Sequence, residues 1–264
     1  MIDRKSLVSR HNPVFDANYP ESPLSVGNGE FAFTADATGL QTFLPEGDDR
    51  IPLCTMAQWG WHSWGLNGGA SHCTRSLRLK EYDAGGRNVA YMTDETGQEE
   101  LFRSLRISPH RLNLARIGFV LSGESDVYAA PAPEKLSGVR QTLILWEGLL
   151  SSVFKLEGIE VRVETAVHPD RDSVSFRIES SLLSSGRLAV LISFPYGSPD
   201  NDASDWKSPD RHVTEMELLE SSRRALITRT LDSDSYRAEL LVGVPADIRR
   251  YADKKLRPIA IGIE

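Results

Sequence analysis

The sequence predicts an all-β protein, an antiparallel two-sheet sandwich with few short helices, and three observations carry that prediction. Segments of six to nine residues alternate apolar and polar side chains with the period of two that half-buried strands require. The pairs Glu147-Gly148 and Glu157-Gly158 interrupt them as tight turns. No long periodic helix lies between the segments, so neighbouring strands return antiparallel instead of crossing over in βαβ units. A large antiparallel sheet with one apolar face must then stack on another sheet.

Taken in order, Met1 to Pro23 reads as an irregular lead-in punctuated by Pro13, Pro20 and Pro23. Gly27-Asn28-Gly29 turns the chain into a strand carrying Phe31 and Phe33, with a hairpin partner expected at Leu40 to Leu44. A short strand is expected at Leu77 to Tyr82, a helix over Glu95 to Leu105, and a strand over Asn113 to Leu121. After the proline-rich linker Ala129 to Glu134 the pattern sharpens. Strands are predicted at Arg140 to Trp146, Leu149 to Leu156 and Ile159 to Val167, the last with Ile159, Val161, Val163, Thr165 and Val167 inward and Glu160, Arg162 and Glu164 outward. Val174 to Ile178 and Leu188 to Phe194 alternate in the same way. Three more strands are expected at Val213 to Leu219, Arg224 to Leu231 and Tyr236 to Val244.

Composition narrows the partners. Thirty basic against 37 acidic residues leave a net charge of -7 in 264 residues, with no concentrated basic stretch. Nucleic acid and anionic membranes both call for a positive surface, so neither is expected as a partner. The longest apolar run, Leu188 to Phe194, is too short to span a bilayer. No signal peptide is read behind Met1-Ile2-Asp3-Arg4-Lys5; export stays open for a chain whose signal has been removed. Cys54 and Cys73 either bridge across the loop between them or remain two free thiols.

That loop holds the strongest functional signal. Trp59, Trp61 and Trp64 fall within six positions with His62 among them, and Gly65, Gly68 and Gly69 follow. Two readings stand: a hydrophobic plug on the β core, or a platform for a flat, hydroxylated ligand. A second long polar loop, Gly197 to Asp210, carries Trp206; structureless excursions from a compact sheet tend to bind something. Asp200, Asp202 and Asp205 in that loop lack the glycine and terminal glutamate of a calcium loop. His62, His72 and Cys73 lack a fourth zinc ligand. No metal or cofactor is therefore expected. Nucleophile-elbow, Walker and dinucleotide fingerprints are absent as well. Glu30, Asp36 and Glu46 are the nearest acids to the tryptophans and read as solvated strand-end groups, so no catalytic pair is assigned.

Two stretches carry a family resemblance. Pro23-Leu24-Ser25-Val26-Gly27-Asn28-Gly29-Glu30-Phe31-Ala32-Phe33 resembles the opening of the N-terminal β-supersandwich domains of six-hairpin glycosidases, the group containing the maltose and trehalose phosphorylases and related hydrolases. Gln141 to Leu149, Gly158 to Val161 and Ala166 to Asp170 are similar to the strand, turn and strand series of the same domains. The resemblance implies a galactose mutarotase-like supersandwich spanning residues 1–264 as one domain, the N-terminal part of a longer carbohydrate-active enzyme. Its catalytic carboxylates would lie on an (α/α)-barrel, for which this chain has no helices. On that reading the domain is non-catalytic by itself, packs on the barrel and lends an aromatic loop to the glycan site. Trp59, Trp61, His62, Trp64 and Trp206 are the candidate carbohydrate-binding residues, since the C–H face of a pyranose fits an indole. The alternative is a free-standing carbohydrate-binding or mutarotase-like domain using His62, His110 or His168.

Overall fold

The computed structural model describes residues 2–43, 51–63, 74–122, 128–219, 223–243, 246–250 and 259–263. Its clearest unit is a meander of Leu136–Ile144, Leu149–Leu156, Ile159–Val167 and Val174–Glu179, with Val14–Phe15 on its outer edge. In Ile159–Val167 the side chains of Val161, Val163 and Thr165 are buried, while Glu160, Arg162 and Glu164 face water, as the period of two requires. Glu157 and Gly158 both take left-handed backbone, φ 53° and 80°, joining Leu156 to the residue opposite it, Ile159. That mirror-image turn matches the twist of the strands it connects.

A second sheet supplies the facing layer. Leu188–Ser193 lies between Arg116–Ser122 and Ile259–Ile263, and Tyr128–Ala129 and Ala246–Arg250 flank them. Phe154, Val161 and Val163 of the meander meet Phe119, Leu188 and Leu40 in the main core. Each such side chain contributes about 1.5–3 kcal/mol when fully buried. Leu188–Ser193 departs from the expected alternation, because Ala189 and Ser193 are buried along with Leu188 and Ile192. Both faces of this strand are largely covered, with Val190 and Leu191 partly exposed.

Two smaller sheets complete the sandwich. His212–Leu219, Arg224–Leu231 and Asp234–Leu241 pack Ala225 and Ile227 against Ile192 and Phe194. Leu24–Gly27, Phe31–Ala35 and Thr55–Ala57 lay Val26, Phe33 and Ala35 on Leu150 of the meander. Every strand pairing among the described residues is antiparallel. The molecule is an all-β antiparallel sandwich, its layers assembled from several sheets. Its helices are short: Arg4–Ser9, Glu99–Ile107 and Ser181–Ser184. The expected helix is therefore present, displaced toward the C-terminus, and the lead-in contains a helix that its prolines did not suggest. Asp3 begins it by accepting a hydrogen bond from the Ser6 N–H at 3.1 Å. The strand expected at Leu77 to Tyr82 forms instead at Lys80–Asp83, paired with Asn88–Tyr91.

One expected strand is missing for a clear reason. Residues 40–43 form no ladder with Phe31–Ala35, whose partners are Leu24–Gly27 and Thr55–Ala57; Leu44 lies outside the described residues. Polar groups claim the backbone of this segment first. The Asp36 carboxylate accepts from the Thr38 N–H at 2.8 Å, the Thr38 hydroxyl at 2.5 Å and the Phe43 N–H at 2.8 Å. Arg116 donates to the carbonyls of Gln41, at 2.7 Å, and Thr42. Gly118 is what allows the chains so close, because a Cβ there would stand 2.6 Å from the Gln41 carbonyl oxygen.

Asp36 is thus buried at 6 % exposure and is not the solvated acid expected from its position. Burial raises its carboxyl above the ordinary 3.8, against the opposing hydrogen bonds from Thr38 and Phe43. A folded-state value above the unfolded one means that the native state holds the extra proton. The stability this group contributes is complete below about pH 4 and is lost as pH rises through the folded value. Urea midpoints should therefore fall for the wild type relative to Asp36→Asn as pH is raised from acid toward neutral; parallel profiles would show that the carboxyl titrates alike in both states.

Candidate functional site

The tryptophan stretch leaves the sheet at Ala57 and turns at once. The Gly60 N–H donates to the Ala57 carbonyl at 3.0 Å and the Trp61 N–H to that of Trp59 at 2.9 Å. Trp61–His62 then pairs with His110–Arg111. Successive side chains of a strand point to opposite faces, so Trp61 is directed outward, 45 % exposed, and His62 inward, fully buried. Trp59, 47 % exposed, stands beside it on the turn.

Both indoles are held by their edges. Trp59 Nε1 donates to Asp172 Oδ2 at 2.6 Å, and its ring lies 5.9 Å from that of Tyr236. Trp61 Nε1 donates to the Gln58 carbonyl at 2.9 Å. The Arg111 guanidinium rests 4.2 Å from the Trp61 ring centre while its Nη1 donates to the carbonyls of Ala57 and Gln58, at 3.1 and 2.9 Å. The rings are consequently fixed in place with apolar surface left open to water.

Asp172 is placed by the Gly-Asn-Gly turn. Asn28 Oδ1 accepts from the N–H groups of Glu30 and Phe31, at 2.9 and 2.8 Å, and its Nδ2 donates to the carbonyls of His168 and Arg171, at 3.0 and 3.2 Å. One asparagine thus joins the small sheet to the turn that carries Asp172. His168 is exposed within that turn, accepting from the Asp170 N–H at 3.1 Å.

Beneath the tryptophans His62 is the centre of a polar network. Its Nδ1 lies 2.8 Å from Asp234 Oδ2 and its Nε2 lies 3.3 Å from Asp232 Oδ2 and 3.4 Å from the Tyr196 hydroxyl. Tyr196 donates to Asp232 Oδ2 at 2.5 Å and accepts from Arg211 Nη2 at 2.7 Å, with the guanidinium 4.1 Å from its ring centre. Asp234 Oδ2 also receives the Ser63 N–H at 3.1 Å. The rings of His110 and Tyr196 flank the imidazole at 5.4 and 5.3 Å. Burial lowers the pKa of His110, although its Nδ1 contact with the Ile107 carbonyl at 2.9 Å opposes the shift.

No protein-family model matches the chain, and no curated protein matches its sequence. The residues themselves must therefore indicate the chemistry.

Of the residues singled out by sequence, Trp59, Trp61 and His62 come together, with His62 behind the two rings and out of reach of a surface ligand. Trp64, His72 and Cys73 lie outside the described residues. Trp206 is half-buried and follows Asp205, whose backbone exchanges two hydrogen bonds with Tyr196, at 3.1 and 2.7 Å. The second loop is thereby anchored to the network, but no contact joins Trp206 to Trp59 or Trp61 among the described residues. Its acids serve the loop's own turns: Asp200 accepts from the Ser198 hydroxyl, Asp202 from the Ser204 N–H and Asp205 from the Lys207 N–H. Among the described residues no group of three or more His, Cys, Asp or Glu is arranged to hold a metal ion, and no helix is long and apolar enough to cross a membrane. Cys54 is a buried free thiol whose pKa burial pushes up to about 12.

Sequence reading missed Asp172, Tyr196, Arg211, Asp232 and Asp234. The only local sign of the last pair is the acidic turn Asp232-Ser233-Asp234 between two strands, with Asp232 at φ 49°, a left-handed position that aspartate tolerates.

Proposed function

We infer that this chain is the N-terminal, non-catalytic β-sandwich domain of a carbohydrate-active enzyme, a glycoside hydrolase or phosphorylase, and that Trp59 and Trp61 receive its glycan. The observation that carries the reading is the pair of half-exposed indoles fixed by their edges, which favours a platform over a sealed plug. Because both N–H groups are spent inside the protein, the rings offer a sugar their faces and no hydrogen bonds. Hydroxyl recognition falls to groups around them, of which Asp172 touches Trp59 and Arg111 touches Trp61. Support from sequence is the resemblance of the Gly-Asn-Gly turn and the meander to the supersandwich domains of six-hairpin glycosidases. An (α/α)-barrel is the partner that this resemblance implies.

The test is fluorescence titration of the wild-type chain and Trp61→Ala with neutral oligosaccharides, beginning with maltotetraose. Loss of an aromatic anchor should weaken binding by roughly 30-fold while the melting temperature stays nearly constant. Unchanged affinity with a stability loss of about 3–5 kcal/mol would make Trp61 a packing residue. If the isolated chain shows no response, the titration is repeated on the chain joined to its barrel; silence there too rejects the reading. A mutarotase-like reading would have to find its acid-base group elsewhere than His62, which is enclosed behind the indoles. It requires that the chain alone interconvert sugar anomers, which polarimetry on fresh α-glucose would detect.

A further inference from the structure

The two exposed indoles are anchored by different means. Trp61 Nε1 donates to a carbonyl three residues back, that of Gln58, at 2.9 Å. Trp59 Nε1 reaches instead to a carboxylate 113 positions away, Asp172 Oδ2, at 2.6 Å. Both partners of that long-range bond are registered on the same Gly-Asn-Gly turn. On one side Asn28 Nδ2 donates to the His168 and Arg171 carbonyls, and the turn between them is closed by the His168 N–H to the Ser173 carbonyl at 2.9 Å and the Ser173 N–H to that of Arg171 at 2.8 Å. On the other side the Glu30 N–H donates to Asn28 Oδ1, and the Glu30 carbonyl accepts from the Gln58 N–H at 2.7 Å, one residue before Trp59. Trp59 is half-exposed and Asp172 exposed, so fixing them costs side-chain freedom and returns little burial. A ring held still in water in this way is preorganised for a ligand that lies on it.

We propose that Asp172 is the specificity-determining residue of this platform, selecting neutral sugars and rejecting uronates, an assignment that rests on the reading of Trp59 and Trp61 as a glycan site. A carboxylate offers about four lone-pair positions, and the Trp59 N–H takes one. Among the described residues Asp172 Oδ1 accepts no hydrogen bond, and no cation forms an ion pair with Asp172. Arg111 is turned away from it, to the Trp61 ring and the carbonyls of Ala57 and Gln58. A pyranose stacked on Trp59 overhangs the edge of the ring, where its rim hydroxyls meet this open acceptor. A sugar carboxylate in the same place brings a like charge to within about 4–6 Å and has no proton to donate. A backbone carbonyl, as at Trp61, would hold the indole but could not make that distinction.

The test is calorimetric titration with maltotetraose and with the same tetramer oxidised at C6 to the uronate, using whichever form binds maltotetraose, the chain alone or joined to its barrel. The wild type should favour the neutral tetramer at least roughly tenfold at low salt, with a smaller margin at about 0.5 M sodium chloride. Asp172→Asn keeps an oxygen for Trp59 Nε1, so the near-ultraviolet dichroism of the indoles should persist while the margin falls roughly tenfold. Asp172→Ala releases the ring; that dichroism should fall and maltotetraose should bind roughly tenfold more weakly. A margin that Asp172→Asn leaves unchanged overturns the proposal, and so does an Asp172→Ala variant that binds maltotetraose as the wild type does. If Trp61→Ala still weakens binding in those cases, the platform stands and only the role of Asp172 is lost. If neither form of the wild type binds maltotetraose, the platform and the proposal fall together.

Discussion

Arg229→Met should lower the unfolding free energy by about 3 kcal/mol or more, measured by urea denaturation at neutral pH. Arg229 is completely buried, and no carboxylate among the described residues forms an ion pair with it. Its two terminal nitrogens donate to oxygen and nitrogen acceptors instead, while its buried Nε has no hydrogen-bond partner among the described residues. Nη2 donates to the Pro195 carbonyl at 2.8 Å, and Nη1 donates to Thr214 Oγ1 at 2.5 Å, the Val213 carbonyl at 3.2 Å and His212 Nδ1 at 2.8 Å. Since arginine only donates, His212 presents the lone pair of Nδ1 to it. The ring of Phe194 lies 5.0 Å from the charge. Arg229 therefore ties the end of Leu188–Ser193 to the small C-terminal sheet, just before the chain reaches Tyr196. Methionine would fill much of the volume but leave these acceptors unpaired in a dry site, and the penalty for stranding them outweighs the packing that the new side chain retains. A loss below about 1 kcal/mol would mean that water reaches the acceptors in the variant.

His62→Ala should reduce stability by about 3 kcal/mol and also weaken oligosaccharide binding at least roughly tenfold. The two effects share one cause. Removing the imidazole leaves Asp232 and Asp234 without their common partner and opens a space between the rings of His110 and Tyr196. The surroundings are not built to shift independently, since even a Cβ on Gly197 would come within 2.8 Å of the His62 ring. Trp61, adjacent in the same two-residue strand, then loses the fixed backbone beneath it. The contrast with Trp61→Ala, where affinity falls and stability holds, separates a residue that touches the sugar from one that positions others. Loss of stability with unaltered affinity would leave His62 as a structural hub alone.

The meander was legible because its information is local. Alternation in Ile159–Val167 and the Glu157-Gly158 turn specify strand, inward face and hairpin within a span of a few residues. The Leu40 to Leu44 strand failed on the same logic. Its pattern suits a strand, but the Asp36 carboxylate and the Arg116 guanidinium, from 75 positions away, take its backbone groups. Arg4–Ser9 was obscured by prolines that lie beyond its end.

By itself the sequence determined the all-β class, the antiparallel order of the central strands and the placing of aromatic rings on a glycine-bearing turn, for each depends on neighbours along the chain. Only the tertiary structure decided that Trp59 and Trp61 stay open to water while His62 is enclosed. It also selected the partners, joining His62 to Asp234 across 172 positions and Trp59 to Asp172 across 113. Such pairings follow from how sheets stack, and side-chain periodicity within one segment carries no record of which distant turn will be packed against it.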